Sequence, residues 1–207
     1  MHTTVKNEIF DLEGKVLLVH ERGDPGWQYN NGKKPGWGLP GGGVEEDENI
    51  ADIYKEIMAL LKQGHIFKEE ILIYIPKNSR FILAVIRETL EETGLLVQVE
   101  RELFREHYNT HDVIVYKSKI IAGILKKESD ETDDAGWFSP DVLPEQGIDL
   151  DFSKAIYLSD KRRILRAVEE LRYESQYLDW YLRNNSGKEV SANGRESSEV
   201  YMDNARG

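Results

Sequence analysis

Hydrophobic positions along the chain follow two periods, and each change of period marks an element. Residues 4–10 (Thr-Val-Lys-Asn-Glu-Ile-Phe) alternate as a strand does. Residues 15–21 (Lys-Val-Leu-Leu-Val-His-Glu) form a second, more continuously apolar strand, and Glu13-Gly14 turns between them. The pair predicts a β-hairpin. Residues 96–100 and the long β-rich run His111 to Ala122 predict further strands. Helical spacing appears in three places. Ile50, Ile53, Tyr54, Ile57, Leu60 and Leu61 predict an amphipathic helix over 50–63, ended by Gly64. Ile82, Ile86, Leu90 and Thr93 predict the buried side of a helix that opens after Ser79 as N-cap and stops at Gly94. Ile164, Leu165, Val168, Leu171, Leu178 and Leu182 predict a last helix over about 160–183, capped by Ser159. Phe67 to Ile75 is apolar and β-branched and fits a short helix or a strand equally well. Trp137-Phe138 precedes a short helix ending at Leu143-Pro144. From Asn184 onward Asn, Ser, Gly and charge replace apolar residues, which predicts a disordered tail over 184–207.

The polar side of the middle helix carries the candidate chemistry. Glu88, Glu91 and Glu92 are spaced i, i+3 and i+4, so their carboxylates share one face. Each like-charged pair costs an isolated helix about a few tenths of a kcal/mol. Arg87, four residues before Glu91, can brace that residue, but one guanidinium does not neutralise three acids. A hard divalent ion, Mg²⁺ or Mn²⁺, is a natural partner for such an oxygen set. The plain alternative is a solvated acidic face. Upstream, residues 37–48 read Trp-Gly-Leu-Pro-Gly-Gly-Gly-Val-Glu-Glu-Asp-Glu. A glycine run of this kind lets backbone approach a ligand or metal closely.

Taken together, these two stretches resemble the two halves of the Nudix hydrolase signature. Gly42 and Glu48 match its first half, and Arg87, Glu88, Glu91, Glu92, Gly94 and Leu95 match its second. Two departures stand out. Thr89 occupies a position where an aliphatic residue is usual, and the arginine comes about 30 residues late. Residues of about 49–78 therefore read as a partly helical insertion within the signature, serving as a lid, a cap or a dimer contact. The resemblance implies an α/β fold, an α/β/α sandwich with a mixed β-sheet, over residues 1–183. It also implies hydrolysis of the diphosphate bond in a nucleoside diphosphate linked to another group. Glu88, Glu91 and Glu92 would be metal ligands, with a carbonyl from Gly41–Gly42, and Arg87 would orient the carboxylates. Glu91, or an acid of the loop at Glu131, Asp133 and Asp134, would deprotonate the attacking water, and Arg87, Glu91, Glu92 and Glu131 would form the catalytic set. Gly42, Gly43, Trp37 and Lys34 would meet the substrate. For Trp37 core packing is an equal alternative, and the loop 23–36 also offers Trp27, Tyr29 and Lys33.

Bulk properties narrow the field. The 207 residues, 40% of them hydrophobic, can build one domain with appendages. The absence of cysteine excludes disulfides, zinc–thiolate sites and thiol nucleophiles. It also counts against an isopentenyl diphosphate isomerase of this family, which uses a cysteine. A net charge of −11 argues against nucleic-acid binding and RNA decapping, since both depend on clustered Lys and Arg. No apolar run reaches the length of a membrane span and Met1-His2-Thr3-Thr4 lacks the apolar segment of a signal peptide, so the expected location is cytoplasmic. His107 and His111, four apart, are separated by turn residues and make a poor metal pair. A catalytically silent nucleotide-binding module is the rival reading, and homodimerisation is common in the family.

Overall fold

In a computed structural model of the chain, the described residues are 2–25, 34–46, 51, 55, 58, 79–142 and 156–185, with side chains described as far as 177. They form strands β1 (His2–Ile9), β2 (Val16–Glu21), β3 (Gly36–Gly38), β4 (Leu95–His107), β5 (His111–Gly123) and β6 (Thr132–Phe138). Helix α1 (Arg80–Thr93) lies between β3 and β4 in the chain, and helix α2 (Leu158–Asn185) follows β6. The chain divides into two units, residues 1–169 and 170–207. Helix α2 contributes its residues through Glu169 to the first unit, and the described part of the second is the remainder of that helix.

The strands form two three-stranded sheets, ordered β1-β5-β4 and β3-β2-β6. The first is mixed, because β1 runs parallel to β5 while β4 and β5 are antiparallel; the second is antiparallel. The expected opening hairpin is therefore corrected. The turn at Glu13-Gly14 forms, with Gly14 at φ 78°. Between the two strands there is only the isolated Phe10–Val16 bridge, after which β1 and β2 enter different sheets. Residues 5–9 of β1 and all of β2 are buried. Strands enclosed on both faces need neighbours of their own, and β1 finds one at β5.

Helices cover the sheets from opposite sides, which makes three layers. On one side Val85 and Ala84 of α1 pack with Val5, Ile114 and Tyr116, while Ile86 and Leu90 pack with Leu17 and Leu96. On the other, Ile164 of α2 packs with Val16, Leu18 and Leu39, and Ala167 with Val113 and Val115. Successive strand residues point to opposite faces, so β2 and β5 each supply both cores.

Local rules account for α1. Gly94 adopts the left-handed conformation at φ 69° and its amide donates to Leu90 O at 2.8 Å. Ser79 stands at the N-cap with extended backbone, though its side chain makes no capping bond. Thr89, the unusual residue of the signature, is fully buried, and its Oγ1 accepts from Asn7 Nδ2 at 2.8 Å. An aliphatic residue there would strand the Asn7 amide, whose Oδ1 already lacks a hydrogen-bond partner. Thr89→Val should therefore cost about 1–3 kcal/mol despite matching the common pattern. Urea unfolding would show this as a lowered midpoint at an unchanged slope.

Three element boundaries differ from expectation. Strand β4 runs to His107, far beyond residue 100, because register shifts let its polar second half stay paired with β5. Helix α2 begins at Leu158, so Ser159 lies inside the first turn and is not its cap; Leu165 on the expected apolar side is 47% exposed. After Phe138 the short helix is a 3₁₀ turn over Pro140–Val142. His107 and His111 close the β4–β5 hairpin, where His107 pairs with Asp112 and His111 stacks on Tyr108. In the expected insertion, Ala51, Lys55 and Met58 are helical. The rest of 49–78 lies outside the described residues, as do Glu48, the undecided 67–76 run, and 186–207 of the expected tail. No helix among the described residues is long and apolar enough to cross a membrane.

Candidate functional site

The glycine turn lies along the outer edge of β1. Asn7 N donates to Pro40 O, Val5 N to Gly42 O and Val44 N to Thr3 O, each at 2.9 Å. Two glycines of the turn are closely approached. Gly41 has φ +139°, and a Cβ there would stand 2.2 Å from Val5 O. A Cβ on Gly42 would fall 2.4–2.7 Å from three atoms of the Glu88 carboxylate group. The turn is thus pressed against α1 where the glutamates emerge.

Helix α1 presents those glutamates unequally. Glu88 and Glu92 are buried, at 8% and 4% exposure, whereas Glu91 is open to solvent. The expected acidic outer face is therefore partly an inner face, because the glycine turn roofs it. Glu92 Oε2 accepts from the Gly41 amide at 2.8 Å. Arg87 holds the other two, with Nη2 3.0 Å from Glu88 Oε1 and Nη1 3.1 Å from Glu91 Oε2. Arg87 Nη2 also donates to Gly43 O at 3.0 Å, tying helix to turn. Burial pushes the Glu88 carboxyl up to about 7 against the opposing charge of Arg87. Burial pushes Glu92 up to about 8, although Lys6 and the Gly41 amide pull the other way. Burial raises Glu91 as well, again opposed by Arg87.

Glu88, Glu91 and Glu92 line one cleft of about 310 Å³ together with Ser129, Asp130 and Glu131. Glu131, at the mouth of β6, raises both Glu88 and Glu91 by its charge. The other two acids of its loop go elsewhere. Asp133 pairs with His20, and Asp134 lies 3.6 Å from Lys127. Trp37 is packed edge-on between His20 and Phe138 in the core on the α2 side. The Lys34 carbonyl accepts from the Tyr157 hydroxyl. Neither residue lines the cleft. Trp27, Tyr29 and Lys33 lie outside the described residues.

Five carboxylates around one cleft, with Arg87 bonded to two of them, fit a small hard cation in charge and donor type. Among the described residues no three acidic or imidazole groups already converge on an ion-sized point. Glu92 is turned onto the Gly41 amide and Glu88 onto Arg87. The glycine carbonyls also have partners, since Gly42 O accepts from Val5 N and Gly41 O from Lys6 Nζ at 3.2 Å. A carbonyl retains a second lone pair after one such bond.

Sequence reasoning missed what lies beneath the turn. Lys6, 9% exposed, donates to Leu39 O at 2.9 Å and stands 3.7 Å from Glu21 and 3.9 Å from Asp160. Burial alone would lower its pKa, but the charges of Asp160, Glu21 and Glu92 outweigh that and raise it. Asp160, in the first turn of α2, accepts from the Leu39 amide at 3.0 Å and from Arg163 at 2.6 Å. Arg163 reaches on to Glu106 of β4. A chain of buried charges thus runs from α2 to the turn that touches Glu92. The legible signal was a lysine within a buried strand, and an Asp with Arg three residues later at a helix start.

No protein-family model matches this chain, and no curated protein matches it by sequence. Solved structures do match. It is similar to an ADP-ribose pyrophosphatase from Streptococcus suis, with 22% identity over 81% of this chain and 91% of that one, at a TM-score of 0.45. It is similar to a NUDIX hydrolase from Nitrosomonas europaea, with 18% identity over 82% and 88% of the two chains, at 0.48. It is also similar to the NUDIX domain of Shewanella oneidensis NrtR, solved with ADP ribose, with 20% identity over 82% and 87%, at 0.49.

Proposed function

We propose that this protein is a Nudix hydrolase that cleaves the diphosphate bond of a nucleoside diphosphate linked to another group, using Mg²⁺ or Mn²⁺. The observation that carries this reading is the meeting of the two halves of the signature. Gly41 contacts Glu92 and Gly42 lies against Glu88, although 51 and 46 positions separate them in the chain. Glu88, Glu91 and Glu92 would hold the ion, with backbone of the Gly41–Gly42 turn beside them. When bound, the ion supplies screening of the diphosphate charge and acidification of water. Arg87 orients Glu88 and Glu91 and fixes the turn through Gly43 O. Glu131, exposed on the far wall of the cleft, accepts the proton of the attacking water. The water oxygen bonds to phosphorus, the bridging P–O bond breaks, and the departing phosphate keeps the electron pair. Gly42 and Gly43 of the turn are the candidate substrate contacts, and a small-molecule nucleotide is the expected partner.

The test is hydrolysis, with and without Mg²⁺, of four classes: nucleoside triphosphates, ADP-ribose, nucleotide sugars and dinucleoside polyphosphates. Mg²⁺-dependent turnover of at least one supports the reading. Binding of all four without turnover would favour the silent module.

A pH prediction follows from the raised carboxyls. In the metal-free protein Glu88 (about 7) and Glu92 (about 8) lie above their ordinary value of 4.5. Their contribution to stability is full below pH 4.5 and is lost as pH rises through 7 and 8. A divalent ion competes with those protons. Saturating Mn²⁺ should therefore raise the melting temperature more at pH 8.5 than at pH 6, as differential scanning fluorimetry would record. An equal rise at both pH values would contradict this.

A further inference from the structure

Glu131 is carried on a built turn. The Ser129 amide donates to Thr132 O at 3.0 Å. Ser129 Oγ accepts from the amides of Glu131 at 3.2 Å and Thr132 at 3.1 Å, and shares a hydrogen bond with Thr132 Oγ1 at 2.9 Å. This turn is tied down on two sides. Thr132 Oγ1 donates to the carbonyl of Glu92 at 3.4 Å, in the last turn of α1. On the other side stands Arg22, one residue past the end of β2. Its backbone amide donates to Glu131 O at 3.1 Å. Its guanidinium forks, with Nη2 donating to Ser129 O at 3.0 Å and Nε to Thr132 O at 3.2 Å. Three carbonyls of the turn thus end on one residue.

Arg22 is exposed, and among the described residues its guanidinium makes no ion pair, although Glu128, Asp130 and Glu131 are close in sequence. A surface arginine spent on backbone carbonyls contributes little net stability. What it fixes is shape, because a planar fork holds two acceptors at a set separation and angle. We infer that Arg22 is a positioning residue: it locks the 129–132 turn so that Glu131 faces Glu88 and Glu91 across the cleft. The inference rests on the reading of Glu131 as the base. The turn is joined to Glu92 on its inner side, so the base and the metal-ligating glutamates are held in one frame. Without the fork, the turn keeps its internal bonds but loses its anchor on β2, and Glu131 spends less time in reach of the attacking water. Small misplacements of a catalytic group cost up to about 100-fold in rate.

The test combines kinetics on whichever diphosphate substrate is turned over, Mn²⁺ binding and amide hydrogen exchange. Arg22→Ala should lower kcat about 10- to 30-fold while KM and the Mn²⁺ dissociation constant stay within about twofold. Arg22→Lys should recover only part of the loss, since an ammonium cannot span both carbonyls. Exchange of the Glu131 and Thr132 amides should quicken. In a Glu131→Gln background, Arg22→Ala should change kcat by less than about twofold, because the two residues act as one unit. Equal losses in both backgrounds, a change in KM alone, or unaltered exchange at 131–132 would overturn the inference. Parental turnover by Glu131→Gln alone would overturn it too, by removing the base on which it rests. That result is distinct from a failure confined to Arg22.

Discussion

Glu92→Gln should abolish turnover while leaving the fold standing. The variant keeps the length of the side chain, and its amide oxygen can still accept from the Gly41 N–H that Glu92 Oε2 now receives at 2.8 Å. What it loses is a charge, and with it the strongest reason for a divalent ion to settle beneath the glycine turn. A metal supplies several kcal/mol of charge stabilisation in reactions of this kind, so the expected fall in kcat/KM is at least about 100-fold. Stability should respond in the opposite sense. The Glu92 carboxyl is buried and pushed up to about 8, which means that its ionisation works against the fold at alkaline pH. Metal-free Glu92→Gln protein should therefore melt no lower than the parent at pH 8.5. Thermal melts and steady-state rates on one preparation check both halves. Parental turnover would remove Glu92 from the chemistry.

Lys6→Met should be the most destabilising single change in the neighbourhood of the site. The lysine donates to Leu39 O and Gly41 O and is the cation shared by Glu21, Asp160 and Glu92. Methionine fills similar space but leaves two carbonyls and an excess of buried acid. Breaking a buried ionic set by removing one partner costs about 3–5 kcal/mol, a large share of a domain's stability. For a domain of this size that corresponds to a fall in melting temperature of about 6–20 °C. The variant should also bind Mn²⁺ less tightly, since the Leu39–Gly41 backbone loses the anchor that holds it against β1. A melting temperature within about 2 °C of the parent would show that Arg163 alone balances Asp160, and that Lys6 is dispensable.

Most of the helix that bears the glutamates was legible, since its limits are set by neighbours in sequence. Ser79 and Gly94 bracket it, and the i, i+3, i+4 spacing places the acids together. Strands Val16–Glu21 and His111–Gly123 were legible for the same reason: their apolar runs end at turn residues. What was not legible depends on contacts distant in sequence. The parallel pairing of β1 with β5 joins residues more than 100 positions apart, and nothing in residues 4–10 distinguishes that partner from β2. The burial of Glu88 and Glu92 follows from the roof made by residues 40–43, which helical periodicity cannot see. Thr89 looked like a blemish in the motif until Asn7 supplied the reason for it. Asp133 and Asp134 read as equals of Glu131, yet Asp133 turns to His20 and Asp134 to Lys127, and neither lines the cleft. The charge chain through Lys6, Asp160, Arg163 and Glu106 draws on β1, β4 and α2, so no local pattern announces it.

The central claim is that the glycine turn and the glutamates of α1 together hold a divalent cation. Electron paramagnetic resonance of Mn²⁺ titrated into the nucleotide-free protein tests it most directly, because bound and free ion are counted without reference to any substrate. The account predicts saturable binding of at least one ion per chain, weakened about 10-fold or more by either Glu88→Gln or Glu92→Gln. A free-ion signal that rises as it does in buffer alone, or equal binding by the parent and both variants, would contradict it.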